Sequence, residues 1–582
     1  MYPRPDFRRN LWLDLQGKWK FMFDDYEEPV EYGLNPDNYD LEINVPYPFQ
    51  SRLSGIGDNC FHDVVWYLRE FKIPSQYRSL KPILKFGAVD YEATVWLNGR
   101  KLGEHVGGYD SFSFDLTGLV SEDNVLVVRV VDRHGDQPRG KQDSRLYPRG
   151  VLYSRVTGIW QPVWIEFTGR GYVDHFTVNA DIDGSITLKA FLDGLIDKLK
   201  LRVEVSRNGE VLASSEMVAS KEMTVMLKVD GVEPWSPDNP VLYDLSLILV
   251  DEESGEEVDR IYSYVGFRRI EVSGNKILLN GKPVFLQFAL DQGYYPDGIY
   301  VPSSVERFEE DLKALLDMGF NGVRAHQKPP DPRYLYFADK LGVLVWLEMA
   351  DWGMSLKREN LEVFWSQWRN IILRDYNHPC IIAWVPFNER SEARSDPYAM
   401  FFISEIYWRT KRLDPTRPVV DTSGYAHVVT DILDIHDYSI AVDVGPEEFR
   451  KSWNEAYETR EFLIKYGRIF ASKIDYTSKP IVLSEFGGWG LKGQKPIIRR
   501  PVCYYGDGFD NVNDLLETYE KAVINIAKLK GIAGYCYTQL YDVEGELNGL
   551  LTYDRRNKVN RRRIREANVK AKEIYYALIG YS

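Results

Sequence analysis

Near Phe267 the grammar of the chain changes, and that change constrains the fold more than any other feature. Before it, short alternating runs such as WYLREFKI, KPILKFGAV, YEATVWLNGRKLGEHV and NVLVVRVVD sit between Gly, Pro, Asn and Asp turns, the pattern of antiparallel β-structure with one face buried. Asn98-Gly99, between VWL and KLGEHV, predicts a tight hairpin because a type I′ turn needs positive φ at both positions. Further strands (SITLKAFL, LKLRVEVSRNGEVLAS, EMTVMLKV, LYDLSLILVD) then suit an immunoglobulin-like sandwich. After Phe267, apolar strands alternate with amphipathic helices: PVFLQFALD, NGVRAHQ, LVWLEMA, IIAWVPFNE, PVVDTSG, ILDIHDY, PIVLSEFGG and IAGYCYTQ. Eight such strands fit a (β/α)8 barrel with a last helix near Ile564 to Leu578. The expected organisation is a jelly-roll-like β-sandwich over 1–170, an immunoglobulin-like β-sandwich over 171–267 and a TIM barrel over 268–582.

Composition narrows the function. With 72 basic against 86 acidic residues the net charge is −14, which argues against a nucleic-acid partner. No stretch approaches the roughly 18 apolar residues that span a bilayer, and the start, MYPRPDFRRN, lacks a secretory signal's apolar core, so a cytoplasmic protein is expected. Cys60, Cys380, Cys503 and Cys536 are too scattered for a disulfide framework or a zinc site. GxxxxGK[ST], GxSxG and HExxH are absent. The basic run RRNKVNRRRIR reads as a solvated face beside the last helix. Aromatic residues make up 14%, rich enough to supply sugar platforms as well as cores. Among Trp346, Trp352, Trp384 and Trp489, core or rim positions are expected, with one serving as such a platform.

Barrel chemistry sits at the C-terminal ends of the strands. The polar residues there are Asp291, His326 with Gln327, Glu348 and Asp351, Asn388 with Glu389, Asp421, His436 with Asp437 and Tyr438, Glu485, and Gln539. Two of them, Glu389 and Glu485, could face each other, and a carboxyl pair is what glycosidic cleavage needs: one protonates the leaving oxygen while the other attacks or activates water. Spacing alone does not set their separation, and a salt-bridged structural role is equally open to a strand-end Glu.

The segment RDYNHPCIIAWVPFNER resembles the acid/base signature of glycoside hydrolase family 2, in which Asn-His-Pro, an apolar run, Trp and Asn-Glu follow in order. NGVRAHQKPPDPRYLYFADKLG resembles the family's second-strand segment, with His326-Gln327 where His-Tyr is commoner. FGAVDYEATVWLNGRKLGEHVGGYDSFSFDLT and YSRVTGIWQPVWIE are similar to its sugar-binding β domain. The resemblance implies a retaining exo-β-glycosidase without a required cofactor or metal, since the ligand pattern of the magnesium-binding members is not matched. Glu485 would be the nucleophile and Glu389 the general acid/base, with Glu389 kept protonated at rest by the charge on Glu485 and by partial burial. Asn388 would donate to the sugar 2-hydroxyl, Tyr438 of the His436-Asp-Tyr438 triplet would orient the nucleophile, and His326, Asp351, His436 and Gln539 would complete the substrate site.

The partner so implied is an oligosaccharide or other glycoside; homo-oligomerisation is left open. Family glucuronidases read the sugar carboxylate with Asn-x-Lys beyond the eighth strand, where this chain carries Glu544 and Glu546. Anionic side chains there favour a neutral glycon, with β-galactoside the expected choice. The alternatives are a β-glucuronide, a β-galacturonide or an α-L-arabinoside, with Lys328, Lys492, Lys495, Arg499 or Arg500 as a carboxylate partner. The rival class is a carbohydrate-binding protein on an inactive barrel.

Overall fold

A computed structural model describes residues 1–459, 461–496 and 503–581; Arg499 and Arg500 lie outside the described residues. The N-terminal sandwich packs a four-stranded sheet (Trp12–Asp14, Val163–Thr168, Lys81–Phe86, Phe112–Asp115) against a six-stranded one built around Val64–Lys72 and Asp123–Val131. Trp19, Phe21, Tyr67, Leu84, Val128 and Ile165 fill the space between. The expected hairpin joins Glu92–Leu97 to Arg100–Val106, with Asn98 at φ 51 and Gly99 at φ 78. In the second sandwich a three-stranded sheet faces a four-stranded one. Its strand Glu222–Lys228 buries Met223, Val225 and Leu227 and exposes the residues between, the period-two pattern of a half-buried strand.

All eight expected barrel strands form: β1 Leu286–Asp291, β2 Gly322–Ala325, β3 Leu344–Glu348, β4 Ile381–Val385, β5 Thr422–Ser423, β6 Leu433–His436, β7 Ile481–Gly487 and β8 Ile532–Thr538. Seven make one curled parallel sheet in the order β4-β3-β2-β1-β8-β7-β6. Strand β4 resumes after Pro386 as Phe387–Asn388, which pairs in parallel with the two-residue β5. From β5 to β6 the link runs through side chains: Ser423 Oγ bonds Asp434, and the Gly424 N–H donates to Asp434 Oδ1 at 3.2 Å. The strands are buried on both faces, as parallel strands between a filled barrel interior and a ring of helices must be. Helix Pro332–Leu341 shows why the helices start and stop where they do. Asp331 caps it through the Arg333 N–H, Pro332 opens it, and Gly342 at φ 74 ends it.

Two seams lock the sandwiches to the barrel. At the lower end of β4, Asn377 accepts from the Val178 N–H (2.8 Å) and donates to the Phe176 carbonyl (3.0 Å), stitching the second sandwich to the barrel floor. His378 beside it contacts Asp339, which also accepts from the Tyr264 hydroxyl and the Cys380 N–H. The Asn-His-Pro half of the signature is thus a domain clamp. At the mouth, a loop of the N-terminal sandwich crosses the strand ends: the Arg139 and Gly140 N–H groups donate to the carbonyls of Trp352 (2.7 Å) and Ala350 (3.2 Å). Farther along that loop, the Ser154 N–H donates to Glu544 and the Tyr153 hydroxyl to Glu546. Among the described residues no helix is long and apolar enough to cross a membrane, and no disulfide forms.

Candidate active site

Glu485 lies on β7, 6% exposed, and each of its carboxylate oxygens is held. Arg324 of β2 donates from Nη1 to Oε1 at 3.1 Å, and the Tyr438 hydroxyl donates to Oε2 at 2.6 Å. Burial works against its charge, but His436 and Arg324 outweigh burial and hold Glu485 at about 2. Arg324 is fully enclosed at the centre of the barrel and is itself aimed by Glu348 (2.7 Å) and by the Ser484 carbonyl (2.7 Å).

Glu389 follows the continued β4 with φ 55, its N–H bonded to the Ser423 carbonyl of β5 at 2.9 Å. A non-glycine residue in the left-handed region is uncommon and costs about 1–3 kcal/mol, so the backbone bond to β5 is part of what turns this side chain inward. Its carboxylate Oε1 lies 2.7 Å from His436 Nδ1, and the Tyr425 hydroxyl also faces it. One oxygen of Glu389, one of Glu485 and a ring nitrogen of His436 all lie within 4.8 Å of one another. The structure therefore brings the two carboxylates together.

Asn388 accepts from Arg324 at 3.3 Å through Oδ1, while its buried Nδ2 has no partner among the described residues, leaving one amide donor for a ligand. His436 bridges both glutamates, 2.7 Å from Glu389 and 3.4 Å from Glu485, with Ser423 Oγ at 3.1 Å on its other nitrogen. Tyr438 is stacked beneath Tyr505 (centroids 4.0 Å, planes at 18°). His326 contacts Glu348 at 2.7 Å; burial lowers it below the ordinary histidine value, and nearby Lys141 and Arg324 add to this against Glu348.

Two expected substrate residues are occupied by the scaffold. Asp351, raised by burial to about 6, accepts from Arg390 Nε (2.6 Å), from Gln327 and from the Asn388 N–H (3.2 Å), bracing the neighbours of Glu389 from behind. Gln539 accepts from Gln292 and donates to Asn548, both at 2.9 Å. Glu544 and Glu546, expected as free anions, are taken up by Ser154 and Tyr153, and burial raises Glu544 to about 7. Of the candidate cations, Lys328 donates to the carbonyls of Gly293 and Tyr300, and Lys492 pairs with Asp510 on the surface. Trp346, Trp384 and Trp489 are core; Trp352 is the half-buried one, its Nε1 donating to the Asn388 carbonyl at 3.0 Å.

Sequence reasoning did not single out Arg324, Lys141 or Tyr505 as site residues. An arginine inside the apolar run of β2 is a legible signal, since a buried cation must have a counter-ion. Lys141 and Tyr505 come from loops with no local pattern. Apart from the Glu389–His436–Glu485 trio, the described residues group potential metal ligands at Asp339–His378–Cys380, where Asp339 is already bonded to its neighbours.

Comparison with known proteins places the chain. Residues 270–569 match the description "Glycosyl hydrolases family 2, TIM barrel domain", 13–146 the family's sugar binding domain, and 172–268 a further family 2 domain. A β-galactosidase of Thermoanaerobacter pseudethanolicus is 28% identical over 435 residues, covering 70% of this chain and 55% of the relative. A β-glucuronidase of Rattus norvegicus is 26% identical, covering 84% and 77%. The fold is that of a Bifidobacterium dentium β-glucuronidase solved with coumarin-3-O-glucuronide (TM-score 0.80, 20% identity, 97% and 98% covered). With its barrel match extending over more than half of its length, the chain belongs to glycosyl hydrolase family 2.

Proposed function

We propose that the protein is a retaining exo-β-glycosidase acting by double displacement. The observation that carries the reading is the separation of the two carboxylates, with oxygens of Glu389 and Glu485 within 4.8 Å. Retaining enzymes hold their carboxyls about 5–5.5 Å apart, whereas inverting ones need about 6.5–9.5 Å to admit a water. Glu485, ionised and held by Arg324 and Tyr438, attacks the anomeric carbon. Glu389 protonates the departing oxygen and later takes the proton of the incoming water. The free Asn388 amide donates to the 2-hydroxyl as the oxocarbenium-like transition state develops. The sandwich loop that crosses the barrel mouth suits removal of a terminal sugar, because it walls one side of the pocket.

Glu544 and Glu546 were the ground for a neutral glycon; with both engaged by the N-terminal sandwich that ground is weak. β-Galactosides and β-glucuronides, the substrates in the relatives' names, both belong in the assay. Trapping with 2-fluoroglycosides and peptide mapping should find the adduct on Glu485, and the first-formed sugar should keep its β configuration. An inverted first product, or an adduct on another residue, would overturn the reading.

A further inference from the structure

Lys141 sits on the sandwich loop that crosses the barrel mouth, 6% exposed, with its ammonium 4.4 Å from the centroid of the Trp352 ring. Among the described residues no carboxylate lies within ion-pair distance of it and no carbonyl accepts from it. The other enclosed lysines near this mouth are all satisfied: Lys328 by two carbonyls, and Lys558 by Asp542 (2.7 Å) and the Leu547 carbonyl (2.9 Å). The acids around Lys141 have their own partners. Glu348 holds Arg324 and His326, and Asp351 holds Arg390. The indole face accepts none of the three N–H donors of the ammonium, so they stay free for a ligand. An anionic ligand would supply the counter-charge that the described residues do not.

Its place says which ligand. Trp352, under the ammonium, bonds the carbonyl of Asn388, whose free amide faces the sugar being cleaved in the reading above. His326 is also a neighbour: burial lowers its protonation, and Lys141 is among the nearby charges that add to this. Resting on that reading, we propose that Lys141 is a specificity residue that receives an anionic group of the terminal sugar, a uronate carboxylate or a sulfate ester. The N-terminal sandwich thereby supplies the charge recognition that the loop after β8, with its two glutamates, does not. An ammonium is a point charge with three donors, able to serve the oxygens of either anion.

The test is a set of specificity constants on nitrophenyl β-glucuronide, β-galacturonide, a sulfated β-galactoside and unmodified β-galactoside, for wild type, Lys141→Met and Lys141→Arg. Wild type should prefer one of the anionic substrates, and which one identifies the anion. Lys141→Met should lose about 10²–10³-fold on it and less than about tenfold on the neutral sugar, with Lys141→Arg in between. Retained neutral activity and an unchanged thermal midpoint show that Lys141→Met is folded. A wild type that prefers the neutral substrate, or an equal loss on all four, overturns the proposal. If no glycoside turns over, the glycosidase reading fails instead. Calorimetric binding of glucuronate and galactose 6-sulfate to wild type and Lys141→Met then decides the role of Lys141 alone: loss of binding supports it, and equal binding overturns it.

Discussion

Glu485 and Glu389 stand at the ends of barrel strands within one ligand's reach of each other, yet they are held in opposite ways. Glu485 is part of a continuous strand, closed off from solvent, with donors on both oxygens and its carboxyl held at about 2. Glu389 hangs off a broken strand in left-handed backbone, its side chain 23% exposed. The difference fits what each step of the proposed double displacement demands of the group that would perform it. A nucleophile must stay ionised and must not shift, so rigid donors serve it. An acid/base must trade its proton with substrate and water twice per cycle, so it needs access and a changeable partner. His436, touching both, is the element through which one charge is felt by the other.

The largest way to break this contrast is Glu485→Ala, which should lower kcat on the order of 10⁵-fold, because no neighbouring group can form the covalent intermediate. Added azide should restore slow turnover to a product of inverted configuration; unaided activity close to wild type would assign the nucleophile elsewhere. Next comes Glu389→Gln. Substrates with poor leaving groups should lose about 10²–10⁴-fold and dinitrophenyl glycosides less than about tenfold, and the alkaline limb of the pH profile should vanish. Uniform losses would make Glu389 a binding residue.

Tyr438→Phe sharpens the comparison with a smaller effect, about tenfold in kcat. It removes one donor from the ionised Glu485, so the acid limb of kcat/KM should move to higher pH. An unmoved limb would mean that Arg324 and His436 suffice. The smallest effect is on stability. The folded value of Glu485, about 2, lies below its ordinary 4.5, so ionisation stabilises the fold above about pH 4.5 and that contribution is lost as pH falls toward 2. Thermal midpoints of wild type and Glu485→Gln should therefore shift against the wild type between pH 6 and pH 3, and parallel curves would contradict the depressed value.

The barrel was legible because each strand is an apolar run ended by a polar residue, as in IIAWVPFNE and PIVLSEFGG. That rule also found both glutamates. It could not tell a side chain that faces the pocket from one that braces it: Asp351 and Gln539 end strands as Glu389 does, but their partners, Arg390 and Gln292, take them up. Nor could it foresee Glu544, whose donor is a backbone N–H from another domain. Lys141 on Trp352 is the extreme case, a contact between domains that no local period encodes.

The seam of Tyr153 and Ser154 with Glu546 and Glu544 also bears on how such enzymes can be recombined. Its two sides are about 390 residues apart in the chain. A chimera cut at domain borders would give the barrel a foreign loop, strip Glu544 of the N–H donor that favours its charge, push that buried carboxyl further toward its neutral form, and remove Lys141. Transplanting selectivity therefore means moving the residue 139–156 and 542–548 loops together, as one part.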